Sequence, residues 1–400
     1  MTDTLLIDTP SAFDEAVSEL CDSPHVAIDI EANGMHAYRT DLCVIQLCAA
    51  ESTGPSQRVF VIDTLAFEWP PGLRRLLECA ATTIVLHDVS FDARMLRAHG
   101  CRLHNIVDTA VAARFAGAPA TGLASLLAVR AGVQLDKKLQ HHDWSRRPID
   151  ATQLAYLSAD VAYLGVLAAS LAADVAALGI EDEVRTETTY LLETIYRDAP
   201  EAPAYARLKG AQGLPPVERA ILRELFDVRE RAAERMNAPI GRVTSNASLV
   251  AVARLKPKDI AAVRRVGQLH GPGASVASAL LAAIQKGAMQ EDVPVDERRW
   301  FARETPSPEQ RTERKRRELA LGAWRKAEAA QRGVDLQVVL PGHAMAALVA
   351  SGADSLDALA AVHGLGDVRV ARYGEALLNV LRKPTLAPDD AIPPTATPHS

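Results

Sequence analysis

Two carboxylates, Asp29 and Glu31, interrupt the otherwise apolar segment His25–Ala32. In a strand, positions i and i+2 face the same side, so the pair repels unless it meets water or a cation. At the end of a central strand a divalent metal is the economical partner, and simple solvent exposure is the plainer one. Tyr156 and Asp160 lie four residues apart where Leu154, Leu157, Val161 and Leu164 recur at helical spacing after a candidate N-cap, Asp150. They therefore share one face of a helix, a turn apart. Such a carboxylate could ligate a metal while the phenol steers a water; the alternative is an amphipathic helix with an exposed acid and a half-buried tyrosine. Asp92 is a fourth acid, in the first turn of a helix expected over Phe91–His99 with Ser90 as its N-cap. An all-oxygen set of this kind suits hard cations of the magnesium type. Two such ions about 3.5–4 Å apart clamp the attacking and leaving oxygens of an in-line phosphoryl displacement. Tyr156, with a phenol pKa near about 10, fits the role of water orienter better than that of base.

The elements that would bring these acids together follow in order. A short strand at Leu5–Ile7 precedes a helix through Phe13 and Leu20, with Pro10 near its first turn. Strands are expected over His25–Ala32, Leu42–Ala50 and Arg58–Leu65, the last two joined by a polar turn at Ser52–Gln57. A helix at Pro71–Ala80, a strand at Thr83–His87, the helix carrying Asp92 and a further α/β alternation come next. Three antiparallel strands followed by α/β/α units is the order of a ribonuclease-H-like mixed sheet. Asp63 and Asp108 each end an apolar strand before a threonine and read as caps of helices or turns.

The 400-residue chain is long enough for two or three domains, with 48% hydrophobic and 24% charged residues. A net charge of −6 lacks the basic excess of many nucleic-acid binders, so binding of that kind must rest on a local basic groove or on metal ions. Lys137, Lys138, Arg146 and Arg147 could track phosphates or form a solvated loop. Trp144 could stack on a base or, as the stronger reading, anchor that loop to the core. The adjacent His141 and His142 face different directions and do not suit one metal. The five cysteines are odd in number and never spaced as CxxC, which fits free thiols in a reducing cytosol and argues against zinc. The N-terminus has no signal-peptide pattern, and no uninterrupted apolar run approaches a membrane span. A cytoplasmic protein without a membrane partner is expected.

In these residues the sequence resembles the DEDD 3′–5′ exonucleases of the tyrosine-bearing type, and within them the ribonuclease D family. Asp29-Ile30-Glu31 matches the first motif, LHDVSFD with Asp92 the second, and Tyr156 with Asp160 the third. The connecting segments AYRTDLCVIQL and LDK…DWSRRP…QLAYLSADV carry the ribonuclease D likeness. The resemblance implies a DnaQ-like exonuclease domain that uses two divalent ions, Mg2+ or Mn2+, to remove nucleotides from RNA 3′ ends as 5′-monophosphates. Asp29 would bridge both ions, Glu31 and Asp160 would complete one site, and Asp92 would hold the second through water. It also implies RNA contacts at Met35, as a wedge near the terminal base, and at Gln46, His87, Lys137 and Arg147. The His141-His142 pair departs from the family pattern, in which a smaller polar residue is commoner.

From Asp198 to Pro216 the Pro/Ala/Gly texture reads as a linker. The segments 217–290 and 309–383 read as a degenerate pair of helical modules, each opening on a long charged helix. Both resemble the helicase-and-ribonuclease-D C-terminal (HRDC) domain, the second more clearly, through Gly366, Arg369, Tyr373 and Gly374. The expected organisation is an α/β exonuclease domain over 1–197, a linker over 198–216, two all-α domains over 217–290 and 309–383, and a disordered tail over 384–400. The modules would hold structured RNA, with basic residues at Arg254–Arg265 and Arg311–Arg317, although such runs are more often solvated helix faces. Expected substrates are tRNA precursors and other small structured RNAs. A monomer is the working expectation, although the sequence does not fix the oligomeric state. Two alternatives remain: a DNA 3′–5′ exonuclease using the same acids, and a catalytically silent RNA-binding protein.

Overall fold

The computed structural model describes residues 2–198, 200–302 and 307–382. The tail expected over 384–400 lies outside the described residues.

A six-stranded sheet organises the first 198 residues: β1 (Asp3–Ile7), β2 (His25–Ala32), β3 (Leu42–Ala49), β4 (Arg58–Asp63), β5 (Thr83–Leu86) and β6 (Ile106–Asp108). Its order is β1-β4-β3-β2-β5-β6. Strands β2, β3 and β4 are antiparallel neighbours, while β1 joins β4, and β5 and β6 extend from β2, in parallel. The carboxylate-bearing β2 is therefore central, as the sequence order implies.

Helices α1 (Pro10–Cys21), α2 (Pro70–Leu77) and α3 (Val89–Ala98) lie on one face with Val26, Ile28, Ile30, Ile45 and Ile62. Next come α4 (Thr109–Phe115), α5 (Leu123–Arg130), α6 (Ala151–Ala162), α7 (Leu164–Leu178) and α8 (Glu181–Tyr196). Helix α6 lies across β2, β3 and β4 on the other face, over Ala27, Val44, Cys48 and Val61. Strand alternation sends Val26, Ile28 and Ile30 to the first face, and so turns Asp29 and Glu31 toward α6. Gly165, at the start of α7, makes this docking possible, since a Cβ there would sit 2.2 Å from the Glu51 carbonyl oxygen.

The α6–α7 stretch, Ala151–Leu178, is by length and composition apolar enough to cross a membrane, although Gln153, Asp160 and Asp174 interrupt it. Here it is a core helix pair: Leu157, Val161 and Leu164 pack on the sheet, and Leu167, Leu171 and Val175 pack against α4 and α5.

The 198–216 segment is no bare linker. Short 3-10 turns at Ala204–Arg207 and Ala211–Gly213 bury Tyr205, Leu208, Ala211 and Leu214 in the first helical unit. That unit contains α9 (Pro216–Arg235), α10 (Asn246–Leu255), α11 (Ile260–Val266), α12 (Ala277–Ala288) and α13 (Val295–Arg298). The charged connector after residue 290 also joins its core, through Val293 and Phe301. The second unit, with its own core, has α14 (Pro308–Arg332), α15 (Leu336–Val339), α16 (Gly342–Ser351), α17 (Leu356–Ala360) and α18 (Asp367–Arg382).

Each helical unit touches the sheet domain at a different place. Tyr38 and Arg39, on the loop after β2, reach Glu230 at 3.2 Å and Glu234 at 2.8 Å on α9. On α8, the buried Glu183 pairs with Arg332 and Arg372, Glu187 bonds His343 at 2.9 Å, and Tyr190 stacks on His343.

Candidate metal centre

Asp29 and Glu31 are the last two residues on this face of β2 before its ladder with β3 slips, between Glu31 and Ala32. Such a bulge re-aims side chains at a strand end. Asp150 caps α6 in a reciprocal box with Gln153, as its position before the apolar periodicity implies. That start sets the rotation of the helix, which buries Leu157 and Val161 and turns Tyr156 and Asp160 toward the β2 acids.

Three sequence-expected ligands converge: Asp29, Glu31 and Asp160 each place a carboxylate oxygen within 4.8 Å of the others. Among the described residues no other group of histidine, cysteine, aspartate or glutamate gathers in this way. Asp92 stands beside the trio rather than in it. It is buried, its Oδ2 has no hydrogen-bond partner, and burial followed by the Asp29 charge raises its pKa well above the usual carboxylate range.

The electrostatics of the trio are unfavourable without a cation. Burial pushes Asp29 up to about 7 and Asp160, with the Asp29 charge added, to about 8. Glu31 rises to about 9 through burial and then the charges of Asp29 and Asp160. Close carboxylates shift in this way when their mutual repulsion and desolvation are uncompensated. Hard divalent ions with oxygen ligands supply the missing charge, so the donor set and the orphaned Asp92 oxygen both fit such ions.

Tyr156 is half-buried, and burial plus the Asp160 and Glu31 charges hold its phenol protonated far above neutral pH. Its ring leans on buried Trp144 with centroids 5.8 Å apart, and His142 meets Trp144 edge-on at 4.9 Å. Trp144 thus anchors the loop, the stronger of its two sequence readings. A cleft of about 220 Å³ opens beside Tyr156 and Asp160, lined also by Gly122, Ser125, Lys137 and Gln140. Lys137 is exposed there, and Met35 stands 60% exposed on the loop after β2.

Three expected RNA contacts are placed otherwise. Arg147 forks onto Asp63 at 2.5 and 2.6 Å and donates to the carbonyls of Trp144, Arg146 and Cys43. Its donors are committed within the fold. Gln46 is fully buried on β3, opposite Asp29. His87 bonds Thr109 at 2.8 Å, and burial lowers its pKa, so the ring is a neutral strut between β5 and α4.

The two acids read as caps behave as such. Asp108 accepts from the backbone N–H groups of Ala110 and Val111 and also from Asp88 and Val89, tying α4 to the start of α3. Asp63 accepts from Leu65 N in a turn, besides holding Arg147. The N-cap of α3 is Asp88 in a left-handed conformation, φ 68°, instead of Ser90. Aspartate tolerates that region better than most residues, which displaced the cap by two positions.

The six-stranded mixed sheet, with two acids on β2 faced by Tyr156 and Asp160 of α6 and by the buried Asp92 of α3, followed by helical modules, is the architecture of a 3′–5′ exonuclease. The family model described as "3'-5' exonuclease" matches residues 5–176, and the one described as "HRDC domain" matches 218–286 and again 315–381. Ribonuclease D of Acidiphilium cryptum is 33% identical over 66% of this chain and 66% of its own length. That of Granulibacter bethesdensis is 32% identical over 74% of this chain and 75% of its own. The crystal structure of Escherichia coli RNase D, described as an exoribonuclease involved in structured RNA processing, superposes with a TM-score of 0.72 at 23% identity, covering 95% of this chain and 99% of that one.

The chain belongs to the ribonuclease D family, and is a hydrolase of the 3′–5′ exoribonuclease type. The exonuclease domain of this family depends on divalent metal.

Proposed function

We propose that this chain shortens RNA from its 3′ end one nucleotide at a time, releasing 5′-monophosphates, with tRNA precursors and other small structured RNAs as substrates in the cytoplasm. The convergence of Asp29, Glu31 and Asp160, with Asp92 buried and unpartnered beside them, carries this reading. Asp29 would contribute to both ion sites, Glu31 and Asp160 completing one, and Asp92 would serve the other through water. Two bound Mg2+ or Mn2+ ions would supply the Lewis acidity and positive charge that an in-line phosphoryl displacement needs.

The remaining roles belong to the side chains. Tyr156 keeps its proton and is fixed by Trp144, so its hydroxyl can hold the attacking water in line with the scissile bond. Lys137, exposed at the cleft wall, would meet the penultimate phosphate, and the exposed Met35 would offer an apolar edge to the terminal base. Arg264 and Arg265 of the first helical unit and Arg311, Arg314 and Lys315 of the second are exposed and would hold the structured body of the RNA. Arg316 and Arg317 are instead turned onto Glu313.

The test follows a 5′-labelled RNA with a single-stranded 3′ tail in Mg2+, Mn2+ or EDTA, beside a DNA of matched sequence. A ladder shortening from the RNA 3′ end and abolished by EDTA is expected. Preference for the DNA would replace the substrate class, and RNA binding without cleavage in either metal would replace the enzyme by a silent binder.

A further inference from the structure

Gln46 is the one polar side chain on β3, and it is completely buried. Neither Nε2 nor Oε1 has a hydrogen-bond partner. An amide left in this state costs roughly 1–3 kcal/mol, and an apolar side chain of the same shape would carry no such cost. Its neighbours Val44, Cys48, Val59 and Val61 on the same sheet face are apolar, so nothing in the strand layer answers it.

The cross-strand register does. Gln46 lies directly opposite Asp29 on β2. Directly opposed residues of an antiparallel pair project from the same face with Cβ atoms about 4.5–5.5 Å apart. A glutamine side chain spans that separation. The face is the one covered by α6, which brings Asp160 to Asp29. The unpartnered amide thus lies beneath the carboxylate that stands at the centre of the acid cluster.

We propose that Gln46 is a positioning residue for the metal centre: its Nε2–H donates to the inner carboxylate oxygen of Asp29 when the acids are drawn onto cations, and so fixes which oxygens point outward to them. The assignment rests on the reading of Asp29, Glu31, Asp92 and Asp160 as a metal centre. In that arrangement the carboxylate has one oxygen turned down to the sheet and one turned up to the ion, and rotation about its terminal bond is stopped. Hydrogen-bond partners behind a ligand are commonly worth about 10- to 100-fold in metal affinity. The unsatisfied state of Gln46 then belongs to the metal-free protein alone.

The expected effects of removing the amide have opposite signs in the two states, which separates positioning from packing. Gln46→Met and Gln46→Leu, both close to the original volume, are compared with wild type as full-length protein. Mn2+ binding is measured by titration calorimetry and by the free-ion EPR signal, and thermal unfolding is measured in EDTA. The expected result is a metal-free Tm equal to or above wild type together with Mn2+ affinity weakened about tenfold or more. Wild-type Mn2+ affinity in both variants would overturn the role of Gln46 while leaving the metal centre intact. Weaker binding accompanied by a matching fall in the metal-free Tm would assign Gln46 to packing and equally overturn it. Absence of Mn2+ binding by the wild-type protein would remove the metal centre itself, and the proposal with it.

Discussion

Replacing Arg147 by alanine distinguishes a structural clamp from a phosphate contact. The guanidinium forks onto Asp63, whose side chain is only 9% exposed, and also holds three backbone carbonyls, including that of Trp144. Alanine leaves the Asp63 carboxylate with the Leu65 N–H as its remaining partner. Breaking a buried ion pair from one side costs about 3–5 kcal/mol, and the 26% exposure of the Arg147 side chain places this case near about 3 kcal/mol. For a domain of this size that corresponds to a Tm lowered by about 6–12 °C. Differential scanning calorimetry of the full chain reads this directly. RNA affinity measured between about 50 and 200 mM salt reads the alternative, because losing one phosphate contact to a single strand reduces the salt slope by about 0.7. A clamp lowers Tm and leaves the slope unchanged. An unchanged Tm with a reduced slope would refute the assignment. The double variant Arg147→Met/Asp63→Leu, which removes both charges, should recover much of the lost stability, since neither partner is then stranded.

Asp29→Asn should abolish 3′-end cleavage, with circular dichroism unchanged and a metal-free Tm equal to or above wild type because one buried charge is removed; full activity would sink the metal assignment. Tyr156→Phe should lower kcat by about 100-fold while leaving Mn2+ affinity unchanged, and an unaltered kcat would show the hydroxyl to be dispensable. The raised carboxyls set a pH dependence whose sign is fixed. With Asp29 at about 7, Asp160 at about 8 and Glu31 at about 9, the folded metal-free protein binds more protons than the unfolded chain above about pH 4. Its stability therefore falls as pH rises from about 4 to about 9, and saturating Mg2+ should flatten that slope. A metal-free Tm that stays level or climbs over this range would contradict the electrostatic account.

The acid cluster was legible because it rests on local periodicities: two residues apart in a strand, four apart in a helix, and one position in a first helical turn. Those spacings fix which way side chains face before any tertiary contact forms. The order of the sheet was legible for the same reason. What escaped depends on distant partners. Arg147 meets an acid 84 positions earlier, and in sequence a basic residue beside Arg146 looks like any solvated charge. Gln46 gave no sign of its burial beyond sitting in an apolar run. Tyr205, Leu208 and Leu214 are spaced at three and six among prolines and glycines, and their burial needed the α9 surface to receive them. The left-handed Asp88 outcompeted Ser90 as cap through backbone geometry alone.

The loop after β2 is tied at its base, where Asn33 and Asp41 exchange three hydrogen bonds, and near its tip, where Tyr38 and Arg39 meet α9. Met35 lies between the two ties. Each loop residue held in one conformation beforehand removes about 1–2 kcal/mol of ordering cost from the binding step. Through these ties the first helical unit would lower the ordering cost of substrate engagement at Met35, in addition to the contact proposed for Arg264 and Arg265. What that contribution requires of the unit is its acidic edge, Glu230 and Glu234, and a fixed distance to the sheet.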